Sequence, residues 1–295
     1  MMTWSLMSCG RFGFEEVRPG TTPDARSYDE DALLATDGAE NSHDAVWGQA
    51  DESCAALAAE ATALWVFDGI DEKVMPELIA GRNGQVFGSP TLVAGPPGAC
   101  GSAMSFPGAA GSYVLVPHDP AWDLSQGSLD FWVRPGRANG IRGLVTRDHV
   151  GAKASGHFGV FLLSQNRLAV RIQEASSAPA GGSVVGLCSD TPLEADAWVH
   201  IGINFGAPEA ELYINGVRSR YEGTSPDDST LGNFACGLNS TQGIAGNQEP
   251  WIFGASNHQA DTSGEVDAFA RSASFGRIRL SAQRQPFSLR EVRDN

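Results

Sequence analysis

The chain has 295 residues, enough to bury a sizeable core in one large domain or two small ones. Its formal charge of −15 argues against nucleic-acid binding, which needs a basic face, and 42% hydrophobic content with 35 glycines and 16 prolines suits a turn-rich β protein. No run of about 18 apolar residues occurs, so no segment reads as a membrane-spanning helix.

The charge is uneven. Residues 1–60 hold 12 Asp/Glu against 3 Arg, a net of −9, which leaves −6 for the other 235 residues. An acidic stretch poor in large apolar residues cannot offset its ordering entropy, so residues 10–53 are expected to form a disordered tether. The expected division is therefore 1–54 for the start and tether, and 55–295 for one folded domain. Leu6-Met7-Ser8-Cys9-Gly10 resembles a bacterial lipobox, in which small residues precede a cysteine that becomes lipidated. That resemblance implies lipid attachment at Cys9, and Gly10 after it implies outer-membrane retention at the bacterial cell surface. Met1 to Ser8 lacks a basic n-region and a long hydrophobic stretch. The alternatives are a start further upstream or an ordinary tail cysteine in a secreted protein.

Residues 55–64 have the propensity for a short helix, and Leu64-Trp-Val-Phe67 after it is strand-like. From there the punctuation is that of β structure. Ser112 to Val116 is a strand stopped by Pro117, and Ser128 to Arg134 is one stopped by Pro135, with Leu129, Phe131 and Val133 on its inward phase. Gly159–Leu163 and Arg167–Gln173 form a hairpin through Ser164-Gln165-Asn166. In its second arm Leu168, Val170 and Ile172 share one face, and Arg167, Arg171 and Gln173 the other. Val199, Ile201, Ile203 and Phe205 alternate with Trp198, His200, Gly202 and Asn204. Leu212 and Ile214 alternate with Glu211, Tyr213 and Asn215, and Asn215-Gly216 supplies a tight hairpin turn. Trp251–Phe253 and Arg277–Leu280 add late strands, and Ser288-Leu-Arg-Glu291 is a capping box that opens a short terminal helix. Glu174–Ser183 and Thr224–Asn247 read as rim loops. Eight or more short strands with almost no helix make an all-β, two-sheet antiparallel sandwich.

Four segments carry a family resemblance. They are Met104-Ser-Phe-Pro-Gly108 with Tyr113–Pro117, Leu129–Pro135, Trp198–Gly216 and Arg277–Val292. In this order they resemble the laminin-G-like, concanavalin A-like jelly roll over residues 64–292. The resemblance implies a surface or secreted module that binds a glycan or an extracellular protein, touching a membrane only through a lipid anchor and doing no chemistry. A glycoside hydrolase and a purely structural or assembly domain are the alternatives.

The hydrolase alternative rests on Glu265-Val-Asp267, similar to the E-[ILV]-D-x-x-E of glucanases with this fold, in which two carboxyl groups flank the sugar. The position of that motif's last Glu is Ala270, so no donor protonates the leaving group. No nucleophile elbow or zinc-protease motif occurs, and His200 is expected to make a hydrogen bond on a sheet face. Relatives of this fold often hold calcium with carboxylates and carbonyls, and Asp68 and Asp267 are the residues the resemblance offers. Sugar readers of the fold stack rings on aromatic side chains, and Trp132, Trp198 and Tyr213 are the candidates, against the alternative that each shields a sheet face. Apart from Cys9 there are four cysteines and no C-x-x-C pair. Four cysteines allow three connectivities, of which spacing favours Cys54–Cys100 with Cys188–Cys236. Four buried free thiols in a reducing compartment are the other possibility.

Overall fold

The protein is described by a computed structural model over residues 53–68, 70, 73–107, 111–137, 140–148, 156–173, 184–224, 235–237, 241, 243–256, 270 and 272–287. A short helix, α1 (Cys54–Ala59), precedes β1 (Ala63–Trp65), β2 (Val74–Met75), β3 (Gly84–Phe87), β4 (Thr91–Val93), β5 (Ala103–Phe106) and β6 (Tyr113–Val116). Then come β7 (Gly127–Pro135), β8 (Arg142–Arg147), β9 (His157–Leu162), β10 (Leu168–Gln173), β11 (Val184–Cys188) and β12 (Val199–Phe205). The chain closes through β13 (Glu211–Ile214), β14 (Val217–Arg218), β15 (Gly223–Thr224), β16 (Ala235–Cys236), β17 (Trp251–Phe253) and β18 (Ala273–Ser281).

These strands form two sheets. One has eight strands in the order β14-β13-β12-β7-β18-β5-β4, with β1 also on β18. The other has ten, in the order β15-β16-β11-β10-β9-β8-β17-β6-β3-β2. All pairings are antiparallel except one parallel bridge between Gly186 and Cys236. The inward phases meet in a single apolar core that includes Trp65, Trp122, Trp251, Phe131, Phe158, Phe205 and Phe275. The aromatic rings there interlock edge to face, as Trp65 does on Phe253 and Phe158 on Trp251. Asn215 and Gly216, at φ of 48° and 73°, make the two-residue turn that joins β13 to β14.

Two local devices shape the eight-stranded sheet. In β18 the pairing with β7 slips between Phe275 and Ile278, so two residues face one on the partner. This keeps Phe275, Ile278 and Leu280 all in the core and turns Arg277 and Arg279 to the outer face. At the other device, the buried Glu77 carboxylate accepts from the backbone N–H of Leu64, Ile79, Ala80 and Arg82 at 2.8–3.3 Å. It closes the turn after β2 against β1.

The structure adds to the sequence reading. Strands β2, β3, β4, β8, β11 and β15 were not expected. The stretch Thr224–Asn247, read as a loop, contains β16, which the bond from Cys236 to Cys188 holds on β11. Arg171 and Gln173 stand on the face of β10 opposite Leu168, Val170 and Ile172, as the alternation requires, and both are buried there. The expected tether, the segment 174–183 and the capping box at 288–291 lie outside the described residues.

Candidate functional site

The alternation of β7 sends Asp130, Trp132 and Arg134 to the outer face of the eight-stranded sheet while Leu129, Phe131 and Val133 go to the core. Register then places His200 of β12 opposite Trp132, and Tyr213 of β13 opposite Gly202. The bare Gly202 is used: Phe287 lies directly on it, where a Cβ would come within 2.6 Å of the ring. A line of rings results. Trp132 and His200 are 5.0 Å apart, His200 and Phe287 6.0 Å, and Phe287 and Tyr213 5.7 Å, centroid to centroid. Trp198 continues the line at its other end, with the Arg134 guanidinium 5.5 Å from its ring centre. The three aromatic residues expected to meet a ligand therefore stand on one face, each half-buried.

Under the rings lies a buried ion cluster. Asp130 accepts from Arg277 Nη1 and, at 2.7 Å, from Arg279 Nε. His200 Nε2 is 3.2 Å from Asp130 Oδ1; an ionised carboxylate only accepts, so Nε2 carries the proton. Burial alone would raise the Asp130 carboxyl, but the charge of Arg277, the His200 hydrogen bond and Arg279 together hold it well below the usual carboxylate range. The indole N–H of Trp132 is buried beside this cluster with no hydrogen-bond partner. Asp130 thus fixes the height and tilt of His200, and with it the plane on which Trp132 rests.

Past Tyr213 the face turns into a cleft of about 280 Å³, at the seam where β13 comes against β11. Glu209, Glu211, Arg218 and Tyr221 line it over a floor of Leu187, Ala210 and Leu212. Arg218 grips Glu209 at 2.7 Å and Glu211 at 3.1 Å, and Arg284 holds Glu211 from behind at 2.6 Å. The Glu209 hydrogen bond raises the Arg218 guanidinium above its ordinary value; burial and then the Glu211 charge raise the Tyr213 hydroxyl. Sequence reading missed this cleft because residues 209–222, which supply most of its wall, close it only against Leu187, Cys188 and Gly237. The only local sign was the alternation of Glu211 and Tyr213 on one phase of β13.

The remaining candidates are dispersed. Asp68 accepts from the Ser102 backbone N–H at 2.8 Å, beside Gly101, and so braces a turn. Among the described residues no group of three or more His, Cys, Asp or Glu is placed to hold a metal ion. Glu265, Asp267 and Cys9 lie outside the described residues. Ala270 does not: it is a core side chain, 1% exposed. Cys54 is bonded to Cys100 and Cys188 to Cys236, with Cα–Cα separations of 5.2 and 5.6 Å.

The family model for the concanavalin A-like lectin/glucanases superfamily matches residues 108–270. Among curated proteins, none matches the chain. Solved structures similar to it include a Trypanosoma rangeli sialidase, at 12% identity and a TM-score of 0.50, covering 76% of this chain and 31% of that one. A mutant of that sialidase displaying trans-sialidase activity matches at 12% identity and 0.50, covering 78% and 32%. The botulinum neurotoxin serotype G binding domain matches at 10% and 0.47, covering 77% and 49%. The chain thus spans between about a third and a half of the structures it matches, and at such identity the likeness is one of fold.

Proposed function

We propose that this chain, which belongs to the concanavalin A-like lectin/glucanases superfamily, is a non-catalytic binding module that recognises a carbohydrate. The observation that carries this reading is the meeting of Trp132, Trp198 and Tyr213, each half-buried, on one outer face among donors and acceptors held in fixed positions. A sugar ring has an apolar face and a rim of hydroxyls. Flat half-open rings take the first, and a group such as Arg134 takes the second. Ordering is already complete in this site, because Asp130 and its two guanidiniums lock the floor before any ligand arrives.

Absence of chemistry is part of the proposal. The position that would supply the leaving-group acid of a glucanase is the core residue Ala270, although the fold hosts both binders and hydrolases. An extracytoplasmic location, with or without a lipid on Cys9, is also proposed, and the two disulfides support it, since such bonds persist in oxidising compartments. Mass spectrometry of the N-terminal peptide from native membranes tests the lipid; an unmodified Cys9 removes it.

The test of the function is glycan-array binding of the full chain, with calcium and again with a chelator. Saturable binding that falls on Trp132→Ala or Trp198→Ala is expected. Silence in both runs overturns the reading. Release of new reducing ends from a bound glucan, abolished by Glu265→Gln, would replace it with hydrolysis.

A further inference from the structure

The cleft beyond Tyr213 has the build of a site in its own right. Its walls are fixed by bonds between segments: Arg218 to Glu209 and Glu211, Arg284 to Glu211, and Ser219 Oγ donating to the Cys188 carbonyl at 2.7 Å. The disulfide of Cys188 to Cys236 ties down the far wall. Little ordering is left for a ligand to impose.

The charges of the wall cancel. Two glutamates, Glu209 and Glu211, meet two arginines, Arg218 and Arg284, and at the rim the exposed Glu222 faces solvent together with the exposed Arg220. This balance selects against a strongly charged guest. The pairing also leaves binding capacity in place, because Glu209 Oε2 and Arg218 Nε take no part in the ion pairs. One acceptor and one donor of the same ion pair thus stay open in the cleft, which suits a hydroxyl group, since it donates and accepts at once. Tyr221 adds a half-buried ring, stiffened by the Arg167 guanidinium 5.4 Å from its centre. A volume of about 280 Å³ lies at the lower end of ligand pockets, which limits the guest to something small.

We infer that this cleft is a subsite for one neutral sugar ring, seated against Tyr221 with its hydroxyls on Glu209 and Arg218; the inference rests on the carbohydrate reading above. The ring would be the end residue of a glycan whose other residues lie along Tyr213, Trp132 and Trp198.

The test is a ligand-observed NMR titration of the full chain with the methyl glycosides of glucose, galactose and mannose, and with methyl glucuronide, at low and high salt. At least one neutral glycoside is expected to bind with little salt dependence. Its affinity should fall about tenfold on Tyr221→Ala and on Glu209→Gln, and stay within about twofold on Trp132→Ala. Arg220→Ala replaces an exposed side chain with no ion-pair partner, so it is fold-neutral, and a loss of affinity there locates the guest at this rim even where Tyr221→Ala impairs folding. Binding that follows Trp132 and ignores the three cleft variants overturns the subsite and leaves the module a lectin. Selective, salt-sensitive binding of the glucuronide overturns the neutral guest. No binding of any glycoside here, with a silent array, overturns both readings.

Discussion

Each of the two sheets carries, on its outer face, a buried aspartate joined to arginine and histidine, and the two clusters end in different surroundings. On the eight-stranded sheet Asp130 is held by Arg277, Arg279 and His200, and half-open rings stand over it. On the ten-stranded sheet Asp148 meets His157 Nδ1 at 2.6 Å and Arg171 at 3.1 Å, Arg171 also donates to Gln173, and all four side chains are buried. Its neighbour on that face is Phe161, buried in a small cluster with Leu163, Ala169 and the Cys188–Cys236 bond. The same ionic chemistry therefore supports an open aromatic face in one sheet and a closed one in the other. A buried ion pair is costly to assemble and more costly to break, so it specifies geometry rather than adding net stability. In the first sheet the geometry specified is that of a surface which can meet a ligand.

The comparison is broken most directly at its centres. Asp130→Ala strands two guanidiniums in the interior and is expected to cost about 3–5 kcal/mol, read by chemical denaturation, with Tm lower by roughly 10 °C. Asp148→Ala should cost less, about 2 kcal/mol, because the Arg171 side chain keeps its bond to Gln173 and is 10% exposed, so water reaches it. Equal losses would remove the distinction drawn here. A second contrast lies in acid. A carboxyl held below its unfolded value contributes stability that is complete above about pH 4 and is lost as pH falls further. Asp130→Asn should therefore flatten the fall of stability below about pH 4; an unchanged acid limb would mean that Asp130 is not held low. The smallest expected effect is the most informative about function. Trp198→Ala, on a half-exposed ring, should change stability by about 1 kcal/mol or less while weakening glycan binding about tenfold.

What could be read in advance follows from range. The phase of β7, with Phe131 inward and Trp132 outward, depends only on period two and was legible, as were the Asn215-Gly216 turn and the all-β sandwich. The meeting of Trp132, Trp198 and Tyr213 follows once β12 is placed between β7 and β13, which the family resemblance supplied. The bulge at Gly276-Arg277 was not legible, because the strand was read only from Arg277, where Ile278 and Leu280 keep period two, and the break lies before it, toward Phe275. Strand β8 was missed because it begins and ends with arginines; Arg142 and Arg147 are nevertheless buried, Arg147 donating to the carbonyls of Trp122 and Ile244. Burial holds both guanidiniums below their usual values, Arg142 at about 10. Most of the cleft comes from residues 209–222, but it closes only where Leu187, Cys188 and Gly237 come against them, and that meeting has no local pattern.

Glu77 carries a consequence beyond the turn it closes. A strand at the margin of a sheet offers open amide groups on which another chain can build, the usual beginning of aggregation. At the margin of β1 the Leu64 amide is taken by a side chain, Glu77 Oε1, at 3.1 Å. One carboxylate does there what a further strand would do, beside Leu78 and Ile79, two of the few large apolar side chains left exposed. A protein without Glu77 would leave the Leu64, Ile79, Ala80 and Arg82 amides without their shared acceptor, and the turn that covers β1 would be the first part to open.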